Sequence, residues 1–335
     1  MRTTIKDVSV AAGVSIKTVS RVLNKEKYVK EETRRKVEEA VAKLNFSPSL
    51  AARTLAGRRS FQIALLYDNH SPYYIHQIQE GVWARCREER VRLLAQPTDV
   101  ASPTLAQDVG GLIDETHVDG VILSSPVTDA APVLEELERR RIPFVRISPG
   151  TNHALTSSVF MDDVQAADDL TTHLVNEGHR RIGFVVGHPN HMASDQRLFG
   201  YRRALDRAGI PFEPSLVRQG HFDFASGADA AEALLALPEP PTAIFASNDD
   251  MAAGVLAIAH RRGLVVPDDL SVAGFDDTDL ARLVWPPLTT IRQPTRELAY
   301  TAASLLFNIA EGVEHRRLQH ELMVRDSTTR LKPKG

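Results

Sequence analysis

The chain has 335 residues, 43% hydrophobic and 25% charged, with a formal charge of −3 and one cysteine, Cys86. That length suits a small domain joined to a large one, and no run approaches the roughly 20 apolar residues of a membrane span. The opening MRTTIKDVSV lacks the apolar stretch of a secretory signal, and one cysteine cannot form an internal disulfide framework, so a reducing, cytoplasmic location is expected.

Charge is uneven along the chain. Residues 1–60 hold seven Lys and seven Arg against six acids, a charge of +8 that leaves −11 on the other 275 residues. A small basic head on an acidic body suits a module that meets a polyanion. Thr4 can cap a first helix over residues 5–12, with Asp7 as its capping-box partner, and Gly13 supplies the turn. Ser15 then caps a second helix over residues 16–23, whose inward face is Val19, Val22 and Leu23. Three connecting residues make the tight turn of a helix-turn-helix. A third helix is expected over residues 31–44, with an apolar stripe of Val37, Val41 and Leu44 and with Lys30 as a poor cap. The outer face of the second helix carries Ile16, Lys17, Thr18, Ser20 and Arg21. Cations, hydroxyls and one apolar tip are what a helix needs in a major groove. The plainer alternative is a solvated three-helix packing unit.

From Phe61 onward, short apolar runs alternate with amphipathic stretches. QIALLY, GVILSS, PFVRIS, RIGFVVG, TAIFAS and LSVAGF read as buried strands, with helices such as residues 75–89 and 249–262 between them. That alternation implies parallel sheets wrapped by helices, with a ligand beyond the carboxyl ends of the strands. Cys86 is read as a half-buried helix residue rather than a nucleophile.

The segments IKDVSVAAGVSIKTVSRVLN and LNFSPSLAARTLAG resemble the DNA-binding headpiece of the LacI/GalR (lactose-repressor) family of bacterial transcription regulators. Further motifs, among them VDGVIL, FASNDDMAAGVL and DLSVAGFDD, extend the resemblance to about residue 330. It implies an all-α helix-turn-helix headpiece over residues 1–46, a hinge helix and linker over 47–60, and a two-lobed α/β core over 61–330 like that of periplasmic sugar-binding proteins. The N-lobe would span about 61–160 and 292–322, and the C-lobe about 161–291 and 323–330. By resemblance, Ile16, Lys17 and Arg21 read bases, while Thr4, Ser15, Thr18, Ser20, Asn24 and Tyr28 mostly hold the DNA backbone. Leu55, on a hinge helix over residues 48–56, would wedge into the minor groove. Effector-binding positions carried over are Asp68, Asn69, Tyr73 or Tyr74, Ser124, Arg197, Phe222, Asn248 and Asp276. The family often has an acid after the PFVRIS strand; Ser148, Pro149 and Gly150 stand there here.

The resemblance, together with these polar residues, implies a repressor of carbohydrate catabolism genes, released from a palindromic operator by a sugar or sugar derivative. A purine or other small-molecule corepressor is the alternative. A homodimer is expected, since only LKPKG follows Arg330 where a tetramerising helix would stand. Neither cofactor nor metal is expected: no phosphate-binding glycine motif is present, and His179, His188 and His191 lack zinc-ligand spacing. The Asp pairs at 162–163, 168–169, 249–250, 268–269 and 276–277 are read as caps and solvated loops rather than the machinery of an enzyme.

Overall fold

Three short helices begin the chain, α1 (Ile5–Ala12), α2 (Ile16–Leu23) and α3 (Glu31–Lys43). The structure, a computed structural model, describes residues 3–23, 28–46, 59–69, 71–309 and 312–331. The chain divides into two compact units, a headpiece and a large α/β core.

The headpiece follows its local signals. Thr4 caps α1 through both halves of a capping box: its hydroxyl accepts the Asp7 N–H, and the Asp7 carboxylate accepts the Thr4 N–H at 2.8 Å. Gly13 takes the left-handed conformation (φ +64°) that stops α1 and turns the chain into α2. Lys30 makes no side-chain cap for α3, whose dipole is met by Glu31 and Glu32 in its first turn. Val8, Ala12, Val19, Val22, Val37 and Ala40 form the buried core, with Val41 and Leu44 at its margin.

The core contains two parallel sheets. The first includes β1 (Gln62–Tyr67), β2 (Arg92–Pro97), β3 (Val121–Leu123), β4 (Phe144–Ile147), β5 (Ser158–Met161) and β11 (His315–Leu318), in the order β11-β5-β4-β3-β1-β2. The second has the order β7-β6-β8-β9, from β6 (Ile182–Val186), β7 (Val217–Gln219), β8 (Ala243–Ala246) and β9 (Ser271–Ala273). An antiparallel ribbon of β10 (Thr290–Arg292) and β12 (Glu321–Met323) accompanies them. The chain passes between the sheets after β5, after β9 and again after β11. All six apolar runs are strands, and those in the sheet interiors are buried on both faces. Of the sheet strands not read from the sequence, RLLAQP, VRQ and HRRL are edges, partly solvated and therefore mixed in composition, while the four-residue β5 (SVFM) is an interior strand.

Further helices flank the sheets: α4 (Pro72–Glu89), α5 (Leu105–Thr116), α6 (Ala131–Arg140), α7 (Asp163–Asn176), α8 (Met192–Arg207), α9 (Phe224–Leu235), α10 (Asp249–Arg261), the short α11 (Leu280–Leu283) and α12 (Thr295–Phe307). Close glycine contacts set their spacing. A Cβ on Gly200 would lie 2.3 Å from the Val164 carbonyl, so only glycine lets α8 lie this close to α7. That approach brings Arg197, one turn earlier on α8, against Asp163. Cys86, on α4, is fully buried rather than half-buried, and burial pushes its thiol up to about 12, which leaves it unreactive at neutral pH.

Candidate functional site

In the headpiece, one face of α2 is committed to the core and the other is open. Val19 and Val22 point inward, while Ile16 is 47% exposed and Lys17 and Arg21 are exposed beside it. Thr18 and Ser20 are half-buried at the edges of this face. Ser15 caps the helix, its Oγ accepting the Thr18 N–H at 3.1 Å and pairing with the Thr18 hydroxyl at 2.9 Å. Tyr28 is 99% exposed. The Thr4 hydroxyl is already used, donating to Asp7 at 2.7 Å within the capping box. Asn24, Leu55 and the expected hinge helix lie outside the described residues.

The core's polar site is a narrow cleft between the ends of the two sheets. Arg197 occupies its floor. Nε donates to Asp163 Oδ1 at 2.8 Å and Nη1 to the Ser247 carbonyl at 2.5 Å, with Asp276 Oδ1 3.9 Å away. The guanidinium carbon lies 3.7 Å from the centroid of the Phe275 ring, so the plane stacks on an aromatic face while its edge faces the carboxylates. Asp276 sits in a turn with φ +113° and accepts a hydrogen bond from Gln293 Nε2 at 2.5 Å. Burial raises its carboxyl to about 7, against the pull of Arg197 and Gln293 and with help from Asp250 and Asp163. Asn248 caps α10: Oδ1 accepts the Met251 N–H at 2.9 Å and Nδ2 donates to the Phe222 carbonyl at 2.9 Å.

Contacts across the cleft close it. The Ser71 hydroxyl, before α4, donates to Asp250 Oδ2 on α10 at 2.8 Å. Ser125 Oγ and His191 Nδ1 are 3.4 Å apart, and Gly150 abuts Met192 so closely that a Cβ there would fall 2.3 Å from its Cγ. Burial holds the Asp250 and Asp249 carboxyls above their usual range, the latter with help from Asp276 and against the hydrogen bonds it accepts from Thr278 and Thr290.

Of the effector positions carried over, the cleft gathers Asn69, Tyr74, Arg197, Phe222, Asn248 and Asp276. It does not gather the other three. Asp68 is turned away to accept the Val100 N–H at 2.9 Å, tying the end of β1 to the loop after β2. Tyr73 is half-buried one position from the helical face that meets the cleft, and Ser124 is fully buried, so its neighbour Ser125 lines the cleft instead. Phe222 serves both readings: its ring touches the cleft but belongs to the C-terminal sheet's core, edge-on to His191 at 5.2 Å. Sequence reasoning missed Ser71, Asp163, His191, Gln196 and Gln293.

The Asp pairs are not all caps and solvated loops. Asp162 does cap α7, but Asp163, Asp168, Asp249, Asp276 and Asp277 are buried. Asp168 is held by Arg203 and Arg207, and Asp277 by Arg282, Arg292 and Arg325. These guanidinium contacts keep both carboxyls below the usual range against the cost of their burial. His179 is structural, bonded to Thr242 and to the Thr329 carbonyl.

Known proteins match both units. Residues 4–49 match the family model for bacterial regulatory proteins of the lacI family, and residues 171–328 that for a periplasmic binding protein-like domain. The transcriptional regulator DegA of Bacillus subtilis is 34% identical over 99% of both chains. The transcriptional repressor PurR of Photobacterium profundum is also 34% identical, over 98% of this chain and 99% of its own. Among solved structures, a CelR–cellobiose complex superposes with a TM-score of 0.75 at 31% identity, covering 97% of this chain and 100% of that one. The lac repressor dimer bound to operator and the anti-inducer ONPF superposes with a TM-score of 0.82 at 29% identity, over 98% and 100%. A basic helix-turn-helix with an exposed outer face, followed by a two-sheet core with a polar cleft, matches these relatives along its whole length: the chain belongs to the LacI family, and it is a DNA-binding transcriptional regulator, not an enzyme.

Proposed function

We propose that the protein is a homodimeric cytoplasmic repressor of carbohydrate-use genes, released from a palindromic operator when a sugar-type effector enters the cleft. The observation that carries this reading is the Arg197–Asp276–Asn248 set at the meeting of the two sheets. It offers a forked donor, a carboxyl able to accept from neighbouring hydroxyls, and an amide. The cellobiose bound to CelR and the ribose bound to a family member from Enterococcus faecium point the same way. Exposed Trp83, Phe224, Leu283 and Trp285 offer apolar area for a second copy. Two headpieces related by a dyad would double the base contacts and mirror a palindrome.

Ligand can loosen DNA only by preferring a lobe arrangement unsuited to the operator, and the coupling is reciprocal. Residues 48–56 are too few for a stable isolated helix, so the hinge would fold on DNA with Leu55 at the operator centre. Calorimetry with neutral sugars, with operator binding measured in their presence and absence, tests the reading: a sugar that binds should weaken operator binding. The second reading is the corepressor alternative, with a purine or other small molecule as the ligand. A purine base that binds the core and tightens operator binding, with no sugar bound, would establish it.

A further inference from the structure

The charges around the cleft narrow the chemistry of its occupant. Arg197 is the one Arg or Lys among the described lining residues, and Asp163 already neutralises it at 2.8 Å. A second carboxylate, Asp276, faces the same guanidinium. Four helices begin at the cleft, and three of them carry an acid in the first turn. Asp163 lies in the first turn of α7, Asp195 in that of α8, and Asp249 and Asp250 in that of α10. The start of α4 meets Asp250 through the Ser71 hydroxyl. Those acids stand where the helix dipoles would otherwise welcome an anion. What remains is one shared cation, Arg197, whose Nη2 makes no hydrogen bond among the described residues, and the neutral amides and hydroxyls of Asn69, Ser125, Ser148 and Gln196.

We infer that the cleft takes an uncharged, hydroxyl-rich effector and rejects its anionic counterparts, uronic acids and sugar phosphates. This rests on the sugar reading above and narrows it. Hydroxyls can donate to Asp276 and accept from the Arg197 edge and the amides, so a neutral sugar satisfies every group it covers. A carboxylate or phosphate entering the same space meets two carboxylates within a water-poor enclosure and one cation already shared. At the effective dielectric of such a site, one uncompensated like charge a few ångströms away weakens binding by on the order of a hundredfold. The His188, His191 and His221 rings lie beside one another at the edge of the cleft.

The test is calorimetry on the full chain at pH 8, where a histidine is ordinarily neutral. Glucose, galactose, ribose and cellobiose are compared with glucuronate, galacturonate, glucose 6-phosphate and ribose 5-phosphate. At least one neutral sugar should bind, and its anionic counterpart should bind on the order of a hundredfold more weakly. Asp163→Asn uncovers Arg197 and should narrow that gap by about tenfold or more, by admitting the anion; a merely structural loss would weaken both ligands alike. An anionic sugar that binds as tightly as its neutral counterpart, or an unchanged gap in Asp163→Asn, overturns the inference while leaving a sugar effector in place. A purine base that binds where no sugar of either kind does overturns the sugar reading itself. Failure of every neutral sugar to bind at millimolar concentration counts against both.

Discussion

The headpiece and the cleft place their working residues in opposite physical situations. In the headpiece, the base-reading candidates stand on the outer face of one eight-residue helix, and folding is left to small side chains on the other face. In the cleft, the polar groups come from segments more than 200 residues apart, and they are buried and bonded to one another. The first arrangement lets recognition residues vary without touching stability. The second makes the ligand site part of the core, so that changing it costs both binding and fold. Substitutions should separate the two regimes.

The largest effect belongs to the headpiece core. Val19→Asp puts a carboxylate among the five other small apolar side chains of the headpiece core, which is too small to absorb the cost. Operator binding should be lost altogether, while the core still binds its effector within about twofold, since distant sites act nearly independently. Anisotropy on operator DNA and calorimetry with effector measure the two sides. Loss of effector binding as well would mean that the two units do not fold separately.

Next in size is Arg197→Ala. Removing the guanidinium strands Asp163 and Asp276, so the variant should lose about 3–5 kcal/mol of core stability. It should also lose the effector while still binding operator at low temperature, a permanently repressing phenotype. Denaturant unfolding and operator titration with effector check this. A variant of unchanged stability would show that the cleft is as independent of the fold as the headpiece surface.

Arg21→Ala probes that surface. Arg21 is exposed in the last turn of α2, so its loss should change stability by no more than about 0.5 kcal/mol. Affinity for the best operator should fall by about 1–3 kcal/mol, with relaxed preference at one base pair. Titration of operators varied one base pair at a time distinguishes this from phosphate contact, which would lower all affinities alike.

How much of each region was legible in the sequence follows from the same contrast. The headpiece signals are local: a Thr4–Asp7 box, a Gly13 stop and apolar spacing of three and four residues predict the helices nearly to the residue. Interior strands other than the short β5 were legible because burial on both faces demands an unbroken apolar run. Edge strands such as RLLAQP and HRRL were not, because one side meets solvent and the composition is mixed. In the cleft, Arg197, Asn248 and Asp276 were found through motifs, but no local pattern marks their partners. Asp163 and Gln293 lie 34 and 17 positions from the groups they bond, and only the sheet order brings them there. Asp68 misled because a strand-end acid beside the cleft can equally well bond a neighbouring loop, as it does with Val100.

The smallest effect sharpens the contrast without disrupting either unit. Asp276 has its carboxyl raised to about 7 from an ordinary 3.8, chiefly by burial. The groups facing it pull both ways: Arg197 from α8 and Gln293 favour the carboxylate, while Asp163 from α7 and Asp250 from α10 oppose it. Asp249 on α10 and Tyr74 on α4, both themselves raised by burial and by Asp276, complete the surroundings. Between about pH 4 and 7 the folded core keeps a proton that the unfolded chain has released, so this group's contribution to stability falls as pH rises through that window. Buried His173 and His179, whose pKa values are lowered, act in the opposite sense below about 6.5. The informative quantity is therefore the difference between wild type and Asp276→Asn, which should shrink as pH falls from 8 towards 5, with the amide the more stable form at pH 8. Effector binding carries the reverse sign, because hydroxyls bind best to the carboxylate: affinity should drop by up to about tenfold between pH 7 and 6 and level off above 8. Calorimetry in buffers of different ionisation enthalpy should register proton release on binding near neutral pH. Parallel stability curves for the two proteins, together with an affinity flat from pH 6 to 8, would mean that Asp276 is already ionised in the empty cleft, as freely charged as the residues on the headpiece surface.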